Sequence, residues 1–195
     1  MDLKRIFLYA LCSLVVLSLC SLCSCGAERI SSGDKIQAYF EQLNGFKSDI
    51  DLTFETYGRV DKFTFSYEFS GDDTDEIVIN APEELSGIAV SISNDSSSVT
   101  WRDTVVDMGQ TAERPSPFSA VAYLIMSWQS GYIMEVSKEK LDGEICIALT
   151  IADAERDPDV TYRTWFLQDS FVPLYAEIYL NESRYLQCSF ADFKT

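Results

Sequence analysis

The chain has 195 residues, 31 acids against 15 bases, a formal net charge of −16 and no histidine. Such a surface repels nucleic-acid phosphates and anionic lipid headgroups, so neither a nucleic-acid partner nor attachment through a basic patch is expected. Without histidine, Ser-His-Asp and Cys-His catalysis are excluded, and no cofactor or metal is expected.

From Met1 the chain reads MDLKRIFLYALCSLVVLSLCSLCSCG. Lys4 and Arg5 form a basic head, and Ile6 to Leu22 carry no charge. A basic head, an apolar stretch and small residues make a secretory signal. Spanning a bilayer takes about 20 apolar residues, and serines crowd one end of this segment, so an uncleaved anchor helix is the weaker alternative. Cys25 has Leu22 three places before it, Ser24 just before it and Gly26 after it. Cys20 and Cys23 each follow a leucine directly, which suits cleavage poorly. LCSC therefore resembles a bacterial lipobox, with residues 1–24 as signal peptide and Cys25 as the acylated lipid anchor. A zinc site needs about four ligands, and Cys20 and Cys23 would leave with the signal. Two or more acyl chains anchor stably, at about 0.8 kcal/mol per buried methylene. The expected location is the cell membrane, lipid-anchored, on its extracytoplasmic side. Removing Asp2, Lys4 and Arg5 makes the remainder one unit more negative.

Residues 25–33 form a short polar tether. Gly26 to Gly33, GAERISSG, reaches about 25–30 Å at full extension. A single domain is expected over 34–195. It opens with DKIQAYFEQLNG, where Ile36, Tyr39, Phe40 and Leu43 recur at helical spacing, Asp34 suits a cap and Asn44-Gly45 a stop. Then the period changes to two. Phe46, Ile50, Leu52 and Phe54 alternate with polar residues, as do Phe63, Phe65, Tyr67 and Phe69. This predicts a sheet with one covered face and one wet face. EIVINA, GIAVSIS, SVTWRD and TVVDM predict further strands, with GDDTD and NDSS as turns. In PSPFSAVAYLIMSWQSG, Pro117 suits a helix start and Gly131 a stop. No residue from Phe118 to Gln129 is charged, so this helix must be buried or cover an apolar hollow. SKEKLDG is a charged connecting stretch, followed by four strands in EICIALTIAD, VTYRTWFLQD, FVPLYAEIYLN and RYLQCSFADFK. Cys146 and Cys188 fall in two of these strands. An exported pair can bridge, and free cysteines are often buried, so both states stay open.

The order of lipobox, amphipathic helix, alternating strands, inserted apolar helix and closing strands resembles the LolA, LolB and LppX family of lipoprotein carriers and lipid-binding lipoproteins. It looks closest to smaller LolA-like lipoproteins, including the spore germination type. IQAYFEQLNGFKSDIDLTF is similar to the family's first helix and strand, and INAPEELSGIAVSI, with Pro82 and Gly87, to its proline-led hairpin. TWFLQDSFVPLYAEIYLNESRYLQCSFADFK is similar to its closing strands.

The resemblance implies an α+β fold: a strongly curved antiparallel half-barrel, with an N-terminal helix and an inserted apolar helix covering the concave face. Agreeing with this, strands with one covered face and a helix apolar all round are what such a half-barrel requires. It also implies a noncatalytic binding protein holding a lipid, acyl chain or lipoprotein in an apolar concavity. The expected lining is Phe63, Phe65, Tyr67, Phe69 and Trp101 from strands and Tyr123, Met126 and Trp128 from the inserted helix. The alternative is a regulatory lipoprotein of the envelope or spore that binds an exported protein, such as a cell-wall enzyme. A concavity filled by its own side chains would favour that alternative. An enzyme with paired carboxylates is the third possibility, though nothing in the sequence marks a pair. GDDTDE lacks the spacing of a calcium loop and suits a solvated turn.

Overall fold

The computed structural model describes residues 31–195 apart from 57, 72–73, 94–96, 103, 110–115 and 153–158. The signal segment, Cys25, Asp72, Asp73 and 94–96 of the NDSS turn therefore lie outside the described residues. Thr74 to Glu76 of GDDTDE, expected in a solvated turn, instead begin β3 with Asp75 buried.

The alternating stretches build one antiparallel sheet. Its strands are β1 (Phe46–Thr56), β2 (Arg59–Phe69), β3 (Thr74–Ala81), β4 (Ala89–Ser93), β5 (Ser97–Trp101), β6 (Thr104–Gly109), β7 (Tyr132–Leu141), β8 (Glu144–Ala152), β9 (Val160–Leu167), β10 (Pro173–Leu180) and β11 (Ser183–Lys194). Helix α1 (Ser32–Glu41) precedes them and α2 (Pro117–Ser130) links β6 to β7. The strand order is β6-β5-β4-β3-β2-β1-β11-β10-β9-β8-β7, so β6 and β7 are margins and the sheet is an unclosed, curved half-barrel. The chain doubles back through the middle, where β1 pairs with β11.

Register puts the apolar set on one face. Ile50 stands between Phe65 and Phe190, and Leu52 between Phe63 and Cys188. Phe65 is paired in turn with Ile79. Because side chains alternate across a strand, these pairings gather Ile50, Leu52, Phe65, Ile77, Val90, Leu186 and Phe190 on the inner face, all nearly water-free.

Both helices cover that face. Helix α2 starts at Ser116, whose Oγ accepts the Ser119 N–H at 3.1 Å, with Pro117 where a missing N–H costs nothing. It ends at Gly131, whose N–H donates to Ser127 O at 2.9 Å. A Cβ on Gly131 would come within 2.3 Å of Ile151 Cγ2, so no larger residue fits there. Helix α1 lies against α2. Gln37 Nε2 donates to Gly131 O at 2.7 Å, and Gln129 Nε2 to Phe40 O at 3.3 Å. Held between sheet and α1, α2 has almost no wet side, which is why its sequence is apolar all round.

Two sequence expectations need correction. The stretch expected to connect, SKEKLDG, forms most of the end of β7 and its turn. A marginal strand has no neighbour on one side and few buried positions, so Glu135, Lys138, Glu139 and Lys140 are accommodated on it. The first helix begins at Ser32, two residues before the expected cap, and Asp34 lies in its first turn. Ser32 and Gly33 thus belong to α1 and not to the tether.

Candidate functional site

Among the described residues, aromatic side chains of the protein itself fill the middle of the concavity. Trp128 is 0% exposed, with ring centroids 5.0 Å from Phe40, 5.3 Å from Phe166 and 5.4 Å from Phe190. Its indole N–H donates to Thr164 Oγ1 at 3.0 Å. From the other end of α2, Phe118 meets Phe63 at 5.3 Å and Phe65 at 5.6 Å. Phe46 packs against Tyr67 and Phe69 at 6.0 and 5.4 Å. Edge-to-face and tilted contacts of this kind add to the apolar burial of each ring.

The expected lining residues separate into three groups. Phe65, Tyr67 and Trp128 are buried in the centre. Phe63, Phe69 and Tyr123 are half-buried and packed against it, and Met126 is half-buried on α2. Trp101 stands apart at the tip of the β5–β6 hairpin, 50% exposed. The residues that fill the hollow include Phe40, Phe46, Phe118 and Phe166, none of which the sequence marks as lining. Phe40 belongs to the helical stripe and Phe166 to a strand, so periodicity shows them as core without showing what they fill.

Between β2 and the start of β3 a polar pair is buried with this core. Tyr67 Oη donates to Asp75 Oδ2 at 2.5 Å. Burial raises the Asp75 carboxyl above its ordinary value, and the Tyr67 hydrogen bond opposes that rise. Burial and then the neighbouring Asp75 raise the Tyr67 hydroxyl well above its ordinary value.

The outer face carries a groove of about 310 Å³ across β3, β2, β1 and β11. Lys47, Asp49, Glu68, Glu76, Asp192 and Lys194 line it. Lys47 Nζ is 2.7 Å from Glu68 Oε2, and Ser66 Oγ donates to Asp49 Oδ1 at 2.8 Å. Farther along the same face, Glu139 accepts from Ser137 Oγ, Arg163 Nη2 and Trp165 Nε1 at 2.6, 2.6 and 2.8 Å. These donors, Ser137 foremost and then Trp165, hold the Glu139 carboxyl below the usual range. Glu177 accepts from Tyr179 at 2.5 Å and Arg184 at 2.8 Å. Burial pushes Glu177 up, yet Tyr179, Arg184 and Tyr175 together bring it below its ordinary value. Tyr175, buried and beside that carboxylate, is pushed up to about 12. Among the described residues no group of three or more Cys, Asp or Glu is arranged to hold a metal.

No protein-family model and no curated protein matches the chain. Solved structures do. A DUF1329 family protein from Desulfovibrio piger superposes with a TM-score of 0.52 at 12% identity, over 84% of this chain and 91% of that one. An uncharacterized conserved protein from Thermus thermophilus superposes with a TM-score of 0.51 at 10% identity, over 84% and 87%. A LolA superfamily protein from Nitrosomonas europaea gives 0.46 at 12% identity, over 84% and 93%. The fold, an unclosed and curved antiparallel half-barrel with two helices, is shared with the first two of these structures. At such identities the likeness concerns architecture alone, and what the surface does has to be argued from this chain's own residues.

Proposed function

We propose that this protein is a noncatalytic lipoprotein, tethered by acylated Cys25 to the extracytoplasmic side of the cell membrane, that binds an exported protein partner. The observation that carries this is the occupied concavity. A lipid carrier needs an apolar space, and here Phe40, Phe118, Trp128 and Phe166 take it. Displacing a ring as buried as Trp128 costs about 3–5 kcal/mol, which an acyl chain would have to repay before it bound.

The outer groove supports a protein partner. Its ion pairs are exposed and contribute only about 0–1 kcal/mol each to folding. Their carboxylates and ammonium groups can exchange onto a partner's charges at little cost to the fold. An acidic surface also speeds encounter with a basic partner and keeps copies of itself apart.

Crosslinked pulldown from envelopes, with mass spectrometry of the extracted protein, tests the proposal. A stoichiometric exported protein on the bait, with no acyl species besides the anchor, is the expected result. A copurifying lipid in molar amount, with no protein partner, would overturn it in favour of lipid carriage. One feature favours that second reading: Phe54, Phe63 and Tyr185 stay half-buried together at one end of the concavity.

A further inference from the structure

The exposed apolar side chains are not spread evenly. Antiparallel order sends the β1–β2, β3–β4, β5–β6, β8–β9 and β10–β11 connections to one rim of the half-barrel, and the β2–β3, β4–β5, β7–β8 and β9–β10 connections to the opposite rim. The β6–β7 connection that contains α2 runs from the opposite rim to the first. Val60, Trp101, Val105, Val106, Tyr132 and Met134 all lie at the first rim, at the start of β2, on the β5–β6 hairpin and at the start of β7. Of the other exposed large apolar side chains described, Val78 and Val136 are mid-strand, and Ile145 is at the opposite rim.

The chain also leaves the described domain near this rim. Gly33, in the first turn of α1, is so close to β7 that a Cβ there would come within 2.9 Å of Ile133 and 3.0 Å of Val136. Ile133 is the second residue of β7 and Cys25 is only seven residues before Ser32. Seven residues reach about 25 Å at full stretch. An acyl anchor on Cys25 therefore keeps the start of α1, and the β7 end of the rim beside it, within about 25 Å of the headgroup region.

The β5–β6 tip has the chemistry of an interfacial contact. Trp101 is half exposed, Val105 and Val106 are 66% and 50% exposed, and the Arg102 guanidinium lies 4.9 Å over the Trp101 ring. Tryptophan settles at the headgroup level, where its ring is apolar and its N–H is wet, and a neighbouring cation meets phosphate there. Of the acids described near this rim, Glu55, Asp61, Glu83, Glu84, Asp159 and Glu182 lie on other strands and connections, while the sequence places Asp103 in the β5–β6 turn directly after Arg102.

We infer that this rim is the membrane-facing end of the domain, with Trp101, Val105 and Val106 dipping into the headgroup region of the bilayer. The inference rests on the lipid-tether reading above and goes beyond it by assigning the surface and its orientation. Trp128 and Trp165 are 0% and 9% exposed, so Trp101 is the tryptophan open to a surface probe.

The test uses the processed, acylated full chain in phosphatidylcholine vesicles with chains brominated close to the headgroup. The expected result is a blue shift, loss of Trp101 emission to bromolipid and protection from aqueous iodide, all absent in Trp101→Phe. Tethered protein whose Trp101 stays open to iodide and unquenched by bromolipid overturns this inference and leaves the tether intact. Protection that grows with protein density, without bromolipid quenching, assigns the rim to a second copy and overturns it too. An intact mass lacking acyl chains on Cys25 sinks the tether reading itself, and this inference with it.

Discussion

Trp128 and Thr164 come from α2 and β9, 36 residues apart, and are joined by a 3.0 Å hydrogen bond between two side chains that are both 0% exposed. The bond fixes the plug to the sheet. Trp128→Ala should cost about 3–5 kcal/mol, because the large cavity it leaves cannot fully collapse among rings. Thr164→Val keeps the shape and strands the indole N–H, for about 1–3 kcal/mol. Trp128→Phe combined with Thr164→Val should cost less than the two single changes added together, since neither orphaned group remains. Urea midpoints of the four variants measure this, and strict additivity would count against the bond.

Cys146 and Cys188 cannot meet. Cys188 stands opposite Leu52 and Ala176 in the inner core, whereas Cys146 packs with Ala148 and Trp165 on the outer side of the sheet. Burial raises both thiols above their ordinary values. Native protein should therefore react slowly with thiol reagents, and protein denatured without reductant should take up label at both positions. Denatured protein that labels at neither would mean a bridge, and the strand register would be wrong.

The alternation of Phe63, Phe65, Tyr67 and Phe69 shows in the sequence, and with it the strands of the sheet. Which face bends inward does not, because period two is identical for both faces. That depends on where Phe118 and Trp128 land, a matter of contacts between distant segments. Strand β7 was hidden for a different reason. Its ladder is set by backbone pairing to β8, and Glu135, Lys138, Glu139 and Lys140 leave no apolar stripe to read. Trp101 was legible as an aromatic on a strand but not as an exposed one, since exposure follows from the hairpin's place at the margin. Pro117 and Gly131, by contrast, mark α2 by local backbone chemistry, and the structure ends the helix where they indicate.

Glu177 links acidity to stability. Its folded carboxyl lies below the ordinary value, because Tyr179, Arg184 and Tyr175 outweigh burial. A depressed carboxylate contributes stability above its unfolded value, near 4.3, and loses it as pH falls through the folded value. Glu177→Gln should thus lose about 1–3 kcal/mol at neutral pH, the usual range for hydrogen bonds to a charged group. The gap to the unaltered protein should narrow below about pH 4. Denaturant titrations at both pH values check it, and a gap unchanged by acid would assign the loss to packing alone.

Asp75 acts with the opposite sign. Burial raises its folded carboxyl above the unfolded value, so the ionised form carries a penalty above the folded value that fades as pH falls toward about 3.9. Tyr67 offsets part of that penalty by donating to Oδ2. Asp75→Asn keeps an oxygen in place for the Tyr67 hydroxyl and removes the charge. It should be at least as stable as the unaltered protein at neutral pH, with the gain shrinking on acidification. Tyr67→Phe should instead lose about 1–3 kcal/mol at neutral pH by leaving a 6% exposed carboxylate without its donor. Adding Asp75→Asn to Tyr67→Phe should recover part of that loss. Thermal or urea unfolding across the acid range reads all three. A marked loss from Asp75→Asn alone at neutral pH would mean that the charge is favourable where it lies, and that the cost of burying it has been overcome by more than Tyr67.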